Sequence, residues 1–139
     1  MKKPAKKKKE TKRFENYPVW THAGFFGFLR SNIRHASSKY PPIREAKVLA
    51  RRPYQGDNKR MKWEYQCAEC NGWFKDGDTV VDHIIPAGSL KGWDDIAAFC
   101  QRLFCSMDGL QVLCKECHAK KTEHERKTNA YEHEHSGGV

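Results

Sequence analysis

The chain has no apolar run approaching the roughly 18 to 20 residues needed to cross a bilayer, so an α-helical membrane anchor is not expected. No apolar segment follows the lysine-rich N-terminus, so that end does not read as a secretory signal. No internal repeat is visible, which sets solenoids aside. The zincin pattern H-E-x-x-H is missing too: His124-Glu125 is followed by Arg126, Lys127 and then Thr128. A nucleobase deaminase needs H-x-E and later P-C-x-x-C. Here His83 is followed by Ile84-Ile85 and Cys114 is preceded by Leu113, so the acid/base glutamate is lacking. Excess charge is also scarce once the first residues are set aside. The net charge is +9, but residues 1–13 hold seven Lys and one Arg against one Glu, leaving 18 basic and 16 acidic residues elsewhere.

What is present suits one small domain. At 139 residues the chain is within the usual single-domain range. Such a domain buries under about 70% of its unfolded surface, so a metal staple would help it materially. A cytoplasmic, reducing compartment is the default expectation, and there paired cysteines indicate metal more often than disulfide. Residues 1–15 read as a disordered basic tail, serving either as a phosphate-seeking arm or as a solubilising or targeting segment.

Residues 16–62 read as a helical N-terminal extension. Thr21 is placed to cap a helix over about 22–37, with Phe25, Leu29, Ile33 and Ala36 as its apolar stripe and Arg30 and Arg34 beside it. Pro41-Pro42 breaks the chain before a second helix, about 43–51. Arg44, Lys47, Arg51 and Arg52 crowd this segment, either as a solvated face or as a clamp on a phosphate backbone. From Trp63 the cysteines and most remaining aromatics appear. Short strands are expected at 79–83 and 110–113, and helices at about 95–104 and 115–127, with 128–139 frayed.

Cys67-Ala-Glu-Cys70 and Cys114-Lys-Glu-Cys117 are two C-x-x-C pairs with 43 residues between them. A tetrahedral zinc takes four thiolates, and each such turn aims two at one point. With four protein ligands the site is closed, so this zinc is structural. A redox dithiol would need only one pair, in a βαβ setting that is not seen. Cys100 and Cys105 read as small core residues.

The zinc would bring together V-V-D-H-I-I-P-A-G (80–88) and G-L-Q-V-L-C-K-E-C-H-A-K-K-T (109–122). Asp82-His83 followed by Ile-Ile-Pro, then L-Q-x-L-C-x-x-C-H-x-x-K-T, resembles the HNH endonuclease signature, in the form carried by small phage-encoded nucleases. The resemblance covers about residues 63–125, within an expected nuclease core of 63–127. It implies an α+β chain with a ββα-metal core and flanking N-terminal helices. It further implies metal-dependent DNA cleavage leaving a 5′-phosphate and a 3′-hydroxyl, with His83 as general base. Asp82 and His118 would hold a catalytic Mg²⁺ or Mn²⁺, with Ni²⁺ or Zn²⁺ also tolerated by imidazole.

Elementary chemistry agrees, since a phosphodiester needs a proton acceptor for water and positive charge on the developing oxyanion. Two departures stand out. The family's usual Asn before L-Q is Gly109 here, with Asp108 as a candidate orienting substitute. Thr122 stands where some relatives carry another metal histidine. Lys120 and Lys121 on the last helix are candidate phosphate contacts, alongside Arg30, Arg34, Arg44, Arg51 and Arg52.

The expected partner is DNA, with a phage terminase as a further candidate and a host cytoplasm as the setting if the chain is phage-encoded. No membrane and no organic cofactor are expected. The alternative is a zinc-stapled nucleic-acid-binding module without catalysis, which has no use for Asp82, His83 and His118 together.

Overall fold

The computed structural model describes residues 1–135; residues 136–139, within the segment expected to fray, lie outside the described part, as do side chains from Ala130 onward. It is a mixed α+β chain. Helix α1 (His22–Ser37) starts where Thr21 Oγ1 accepts the Gly24 N–H at 3.0 Å, satisfying one of the free donors of the first turn. Its buried stripe is rotated from the one expected. Phe26 is the fully buried member and Ser37 ends the stripe, while Phe25, Leu29 and Ile33 pack on its margin and Ala36 is exposed. The rotation arises because Phe26 enters a core made by Ala87, Leu90, Phe99 and Leu103.

The basic tail ends earlier than expected. Residues 1–11 are exposed and irregular, but His22 N donates to Lys12 O at 2.9 Å and Phe14 N to Trp20 O at 3.0 Å. The Phe14 ring stacks on Phe25 with centroids 3.8 Å apart and is buried. One aromatic residue at the edge of a lysine block is enough to dock it, because ring burial outweighs the cost of ordering a few residues.

Helix α2 (Pro41–Ala50) begins with the proline pair, whose fixed φ suits the first turn. Arg51 then starts a strand that the helical reading of 16–62 does not contain. Strands β1 (Arg51–Pro53), β2 (Trp63–Gln66) and β3 (Trp73–Phe74) form one antiparallel sheet, with Arg51 opposite Tyr65 and Tyr65 opposite Phe74. The boundary expected near residue 62 therefore runs through a sheet. Three residues ending in proline give no alternation by which to recognise a strand.

Strands β4 (Thr79–His83) and β5 (Leu110–Cys114) pair antiparallel, with Asp82 opposite Gln111 and His83 opposite Leu110. Helix α3 (Ile96–Leu103) lies in their connection, and α4 (Lys115–His135) follows β5 without a break. The last helix extends eight residues beyond the expected 127. It is polar all round, and i,i+4 pairs such as Glu116–Lys120 (3.3 Å) and Glu123–Lys127 (3.1 Å) support such helices. No helix among the described residues is long and apolar enough to cross a membrane.

Candidate functional site

The four cysteines converge. Strand β2 leads into Cys67, the chain turns through Cys70, and Asn71 takes the left-handed conformation (φ 59°) that lets it return into β3. Cys67 N donates to Gly72 O and Asn71 N to Cys67 O, both at 2.9 Å, closing the knuckle. Gly72 is needed because a Cβ there would sit 2.9 Å from the Phe74 ring. The other pair spans the junction of β5 and α4, where Cys117 N lies 3.4 Å from Cys114 Sγ.

All four sulfurs lie within 4.8 Å of one another, and Cys70 Sγ is 4.0 Å from Cys114 Sγ. Thiolates about 2.3 Å from a shared zinc stand about 3.8 Å apart, so the cluster fits a tetrahedral zinc. Burial pushes the Cys67 thiol up, but backbone N–H groups of Cys114, Cys70 and Glu69 outweigh it and bring it down to about 6. Cys117 is pushed up to about 12, first by its hydrogen bond to the Cys114 sulfur and then by burial. Crowded thiols resist ionising together until a cation joins them.

Alternation along β4 sends its last two side chains apart. Asp82 turns toward α4 and is buried at 7% exposure. Its Oδ2 accepts from Gln111 Nε2 at 2.9 Å, and its Oδ1 lies 3.7 Å from His118 Nε2. His83 turns toward the end of α3, where its Nε2 is 2.8 Å from the Leu103 carbonyl oxygen. A carbonyl only accepts, so Nε2 carries a proton, and in the neutral tautomer this selects, the lone pair is at Nδ1. The Leu103 carbonyl belongs to the last turn of α3, whose amides leave it free.

The Leu103 carbonyl is thus one brace on the histidine. The Gly109 carbonyl accepts the Ile84 N–H at 2.9 Å, which fixes the strand just past His83. A Cβ on Gly109 would stand 2.8 Å from Cys105 Sγ, so an asparagine there would displace Cys105. Asp108 is exposed.

Asp82, His83, His118 and Thr122 line one cleft of about 850 Å³, together with Arg30 and Arg34 from α1. A neighbouring cleft of about 690 Å³ shares Arg34, Val81 and His83 with it and adds Arg44 and Arg51. Partial burial, and then the like charge of Arg30, holds Arg34 below the usual guanidinium range.

The structure sorts the other basic residues. Lys47 is tied to Asp76 (3.0 Å) and Thr79, and Arg52 to Glu64 (2.7 Å) with its guanidinium 3.8 Å over Trp73. Arg51 stacks 4.0 Å over the Trp63 ring and lines the neighbouring cleft. Lys120 is exposed and pairs with Glu116. Lys121 folds inward, donating to the His83 carbonyl at 3.1 Å and to Glu125. Burial pulls Lys121 down, but Glu125 and Asp82 outweigh it and hold it above the usual lysine value.

The Leu103 carbonyl and Glu125 carried no signal in the sequence that marked them for this site, and Gln111 was named only as part of the motif. Gln111 stands in the L-Q pair, and the register opposite Asp82 is what gives it a partner. His22 Nε2 lies 2.7 Å from the Lys91 carbonyl oxygen, beside the Phe26 ring. No protein-family model, curated protein or solved structure matches this chain.

Proposed function

We propose that the chain is a metal-dependent endonuclease of the HNH type, with β4, β5 and α4 as its ββα-metal core and a structural zinc on Cys67, Cys70, Cys114 and Cys117. The observation that carries this reading is one cleft lined by a tethered imidazole and, beside it, an acid–imidazole pair 3.7 Å apart. Two ligand atoms each about 2.1 Å from one ion stand between about 3.0 and 4.2 Å apart, so Asp82 and His118 fit a shared Mg²⁺ or Mn²⁺. Such an ion supplies Lewis-acid stabilisation of charge on the phosphate and on the departing oxygen.

The chain's own groups do the rest. His83 Nδ1 takes the proton as water oxygen bonds to phosphorus, and the bond to the 3′-oxygen breaks, leaving a 5′-phosphate. Leu103 holds the ring's orientation throughout, and Arg30 and Arg34 hold the flanking anionic oxygens. Zinc-loaded protein should convert supercoiled plasmid to relaxed or linear DNA with Mg²⁺ or Mn²⁺ and not without them. Intact plasmid under every divalent condition would remove the enzymatic reading and leave a zinc-stapled binding module.

DNA is the proposed partner, and the two joined clefts are its track. Arg44→Ala and Arg51→Ala should each weaken binding to duplex DNA. Each should also lower the salt slope of log K by about 0.9, one phosphate's worth of released counterion. Arg52→Ala should leave both unchanged, because Glu64 and Trp73 already hold it. Fluorescence anisotropy across a salt series measures this; equal losses for Arg51→Ala and Arg52→Ala would contradict the assigned track.

A further inference from the structure

The carboxylate assigned to the divalent ion already has a cation. Lys121 Nζ lies 3.1 Å from Asp82 Oδ2 and 3.4 Å from Oδ1. It therefore sits across both oxygens, on the same carboxylate that faces His118. Its side chain is about a quarter exposed and that of Asp82 about a tenth, so water screens the pair only in part.

The lysine also has somewhere else to go. Glu125, one turn further along α4, takes a hydrogen bond from the same ammonium and lines the same cleft. The His83 carbonyl holds a third position. A small swing about the stem would free Asp82 while the ammonium kept Glu125. Both arrangements leave the charge paired, and a site needs that if it is to exchange one cation for another.

We propose that Lys121 is an internal counter-cation to Asp82 that the divalent ion must displace, so that the lysine sets how tightly the ion is held. This inference rests on the nuclease reading of Asp82 and His118. Ion affinity is lowered by the fraction of molecules in which Asp82 is free of the lysine. If Asp82 is free about one time in ten, the ion binds about tenfold more weakly than its ligands alone would allow. Removing the lysine then strengthens ion binding, the reverse of what losing a merely structural contact would do. Lys121 acts through Asp82 and is a positioning residue, not a catalytic one.

The test is Mn²⁺ binding to zinc-loaded protein, read by electron paramagnetic resonance of free Mn²⁺, with zinc content and melting temperature recorded for each variant. Lys121→Met keeps the stem as far as Cε, Lys121→Gln keeps a polar but slightly shorter side chain, and both remove the charge. Both should bind Mn²⁺ about tenfold more tightly than the native chain. Lys121→Arg restores a cation and should not tighten binding. Lys120→Met removes the same charge from an exposed site paired with Glu116, and should change affinity less than about twofold, since solvent screens it.

Unchanged or weaker Mn²⁺ binding in both uncharged Lys121 variants overturns the proposal. An equal gain in Lys120→Met does so too, because it would show a general charge effect. Asp82→Asn separates this from failure of the underlying reading. If that variant binds Mn²⁺ as well as the native chain, the ion is not on Asp82 at all, and the nuclease assignment falls with the inference.

Discussion

A His83→Ala protein is expected to lose about 10²- to 10⁴-fold in its rate of plasmid cleavage, the usual contribution of a positioned general base. The fold should survive. The ring is half-buried at the rim of the cleft, and its bond to the Leu103 carbonyl is worth about 0.5–1.5 kcal/mol at most. Zinc content should stay at one per chain, and duplex affinity should change little, since Arg30, Arg34, Arg44 and Arg51 are untouched. The loss should appear in the single-turnover rate at saturating protein, where binding no longer matters. An unaltered single-turnover rate would require some other group to take the proton, and the role of His83 as general base would have to be abandoned.

Loss of the zinc should do something different in kind: the domain should come apart. Structural zinc contributes about 10–16 kcal/mol of apparent binding free energy at neutral pH, comparable to or larger than the whole stability of a small domain. The cluster also joins the two sheets, beside the Ala68 N–H bond to the Val112 carbonyl and the packing of α2 against both. Cys67 and Cys70 lie in the turn between β2 and β3, while Cys114 ends β5 and Cys117 is in the first turn of α4. The apolar residues around the cluster are few: Leu113 is buried, and Phe74 and Val80 are partly so.

Cys114→Ser, or removal of zinc by a strong chelator, should therefore abolish the cooperative thermal transition and with it any cleavage. Circular dichroism melts with and without chelator measure this. A serine variant that still melts cooperatively near the native temperature would show that the cluster does not hold the fold.

The pH dependence of that stability has a definite sign. Zinc binds thiolates, so protons compete with it, and affinity must fall as pH falls. Cys67 is the most readily ionised of the set, brought down to about 6, while Cys117 is pushed up to about 12. A depressed thiol stabilises the folded state above its unfolded value of about 8.5 and loses that contribution as pH drops through about 6. Acidification should therefore weaken zinc binding, and unfolding should follow.

Much of this site was readable in one dimension because it is built from short spacings. Two C-x-x-C turns announce a metal whatever surrounds them. Thr21, Pro41 and Pro42 mark helix starts by local chemistry, and α1 begins where Thr21 predicts. The misreadings share one cause, which is that they depended on partners distant in the chain. The face α1 buries is chosen by the pocket that α3 and the 87–90 loop offer to Phe26. Strand β1 exists because β2 lies beside it, and Phe14 is buried because Phe25 gives it a surface.

The amino-acid order alone determined the kinds of atoms available: four thiolates in pairs, a carboxylate beside an imidazole, a second imidazole after the last cysteine, and a basic N-terminus. Those follow from residue identity and local spacing, which folding does not change. The tertiary structure alone decided which of them meet. It turned His83 onto the Leu103 carbonyl, left Gly109 no room for a side chain, bound Arg52 to Glu64 while leaving Arg51 at the groove, and laid Lys121 across Asp82. Each of these depends on a distance between residues separated in sequence, and packing sets such distances where local propensity cannot.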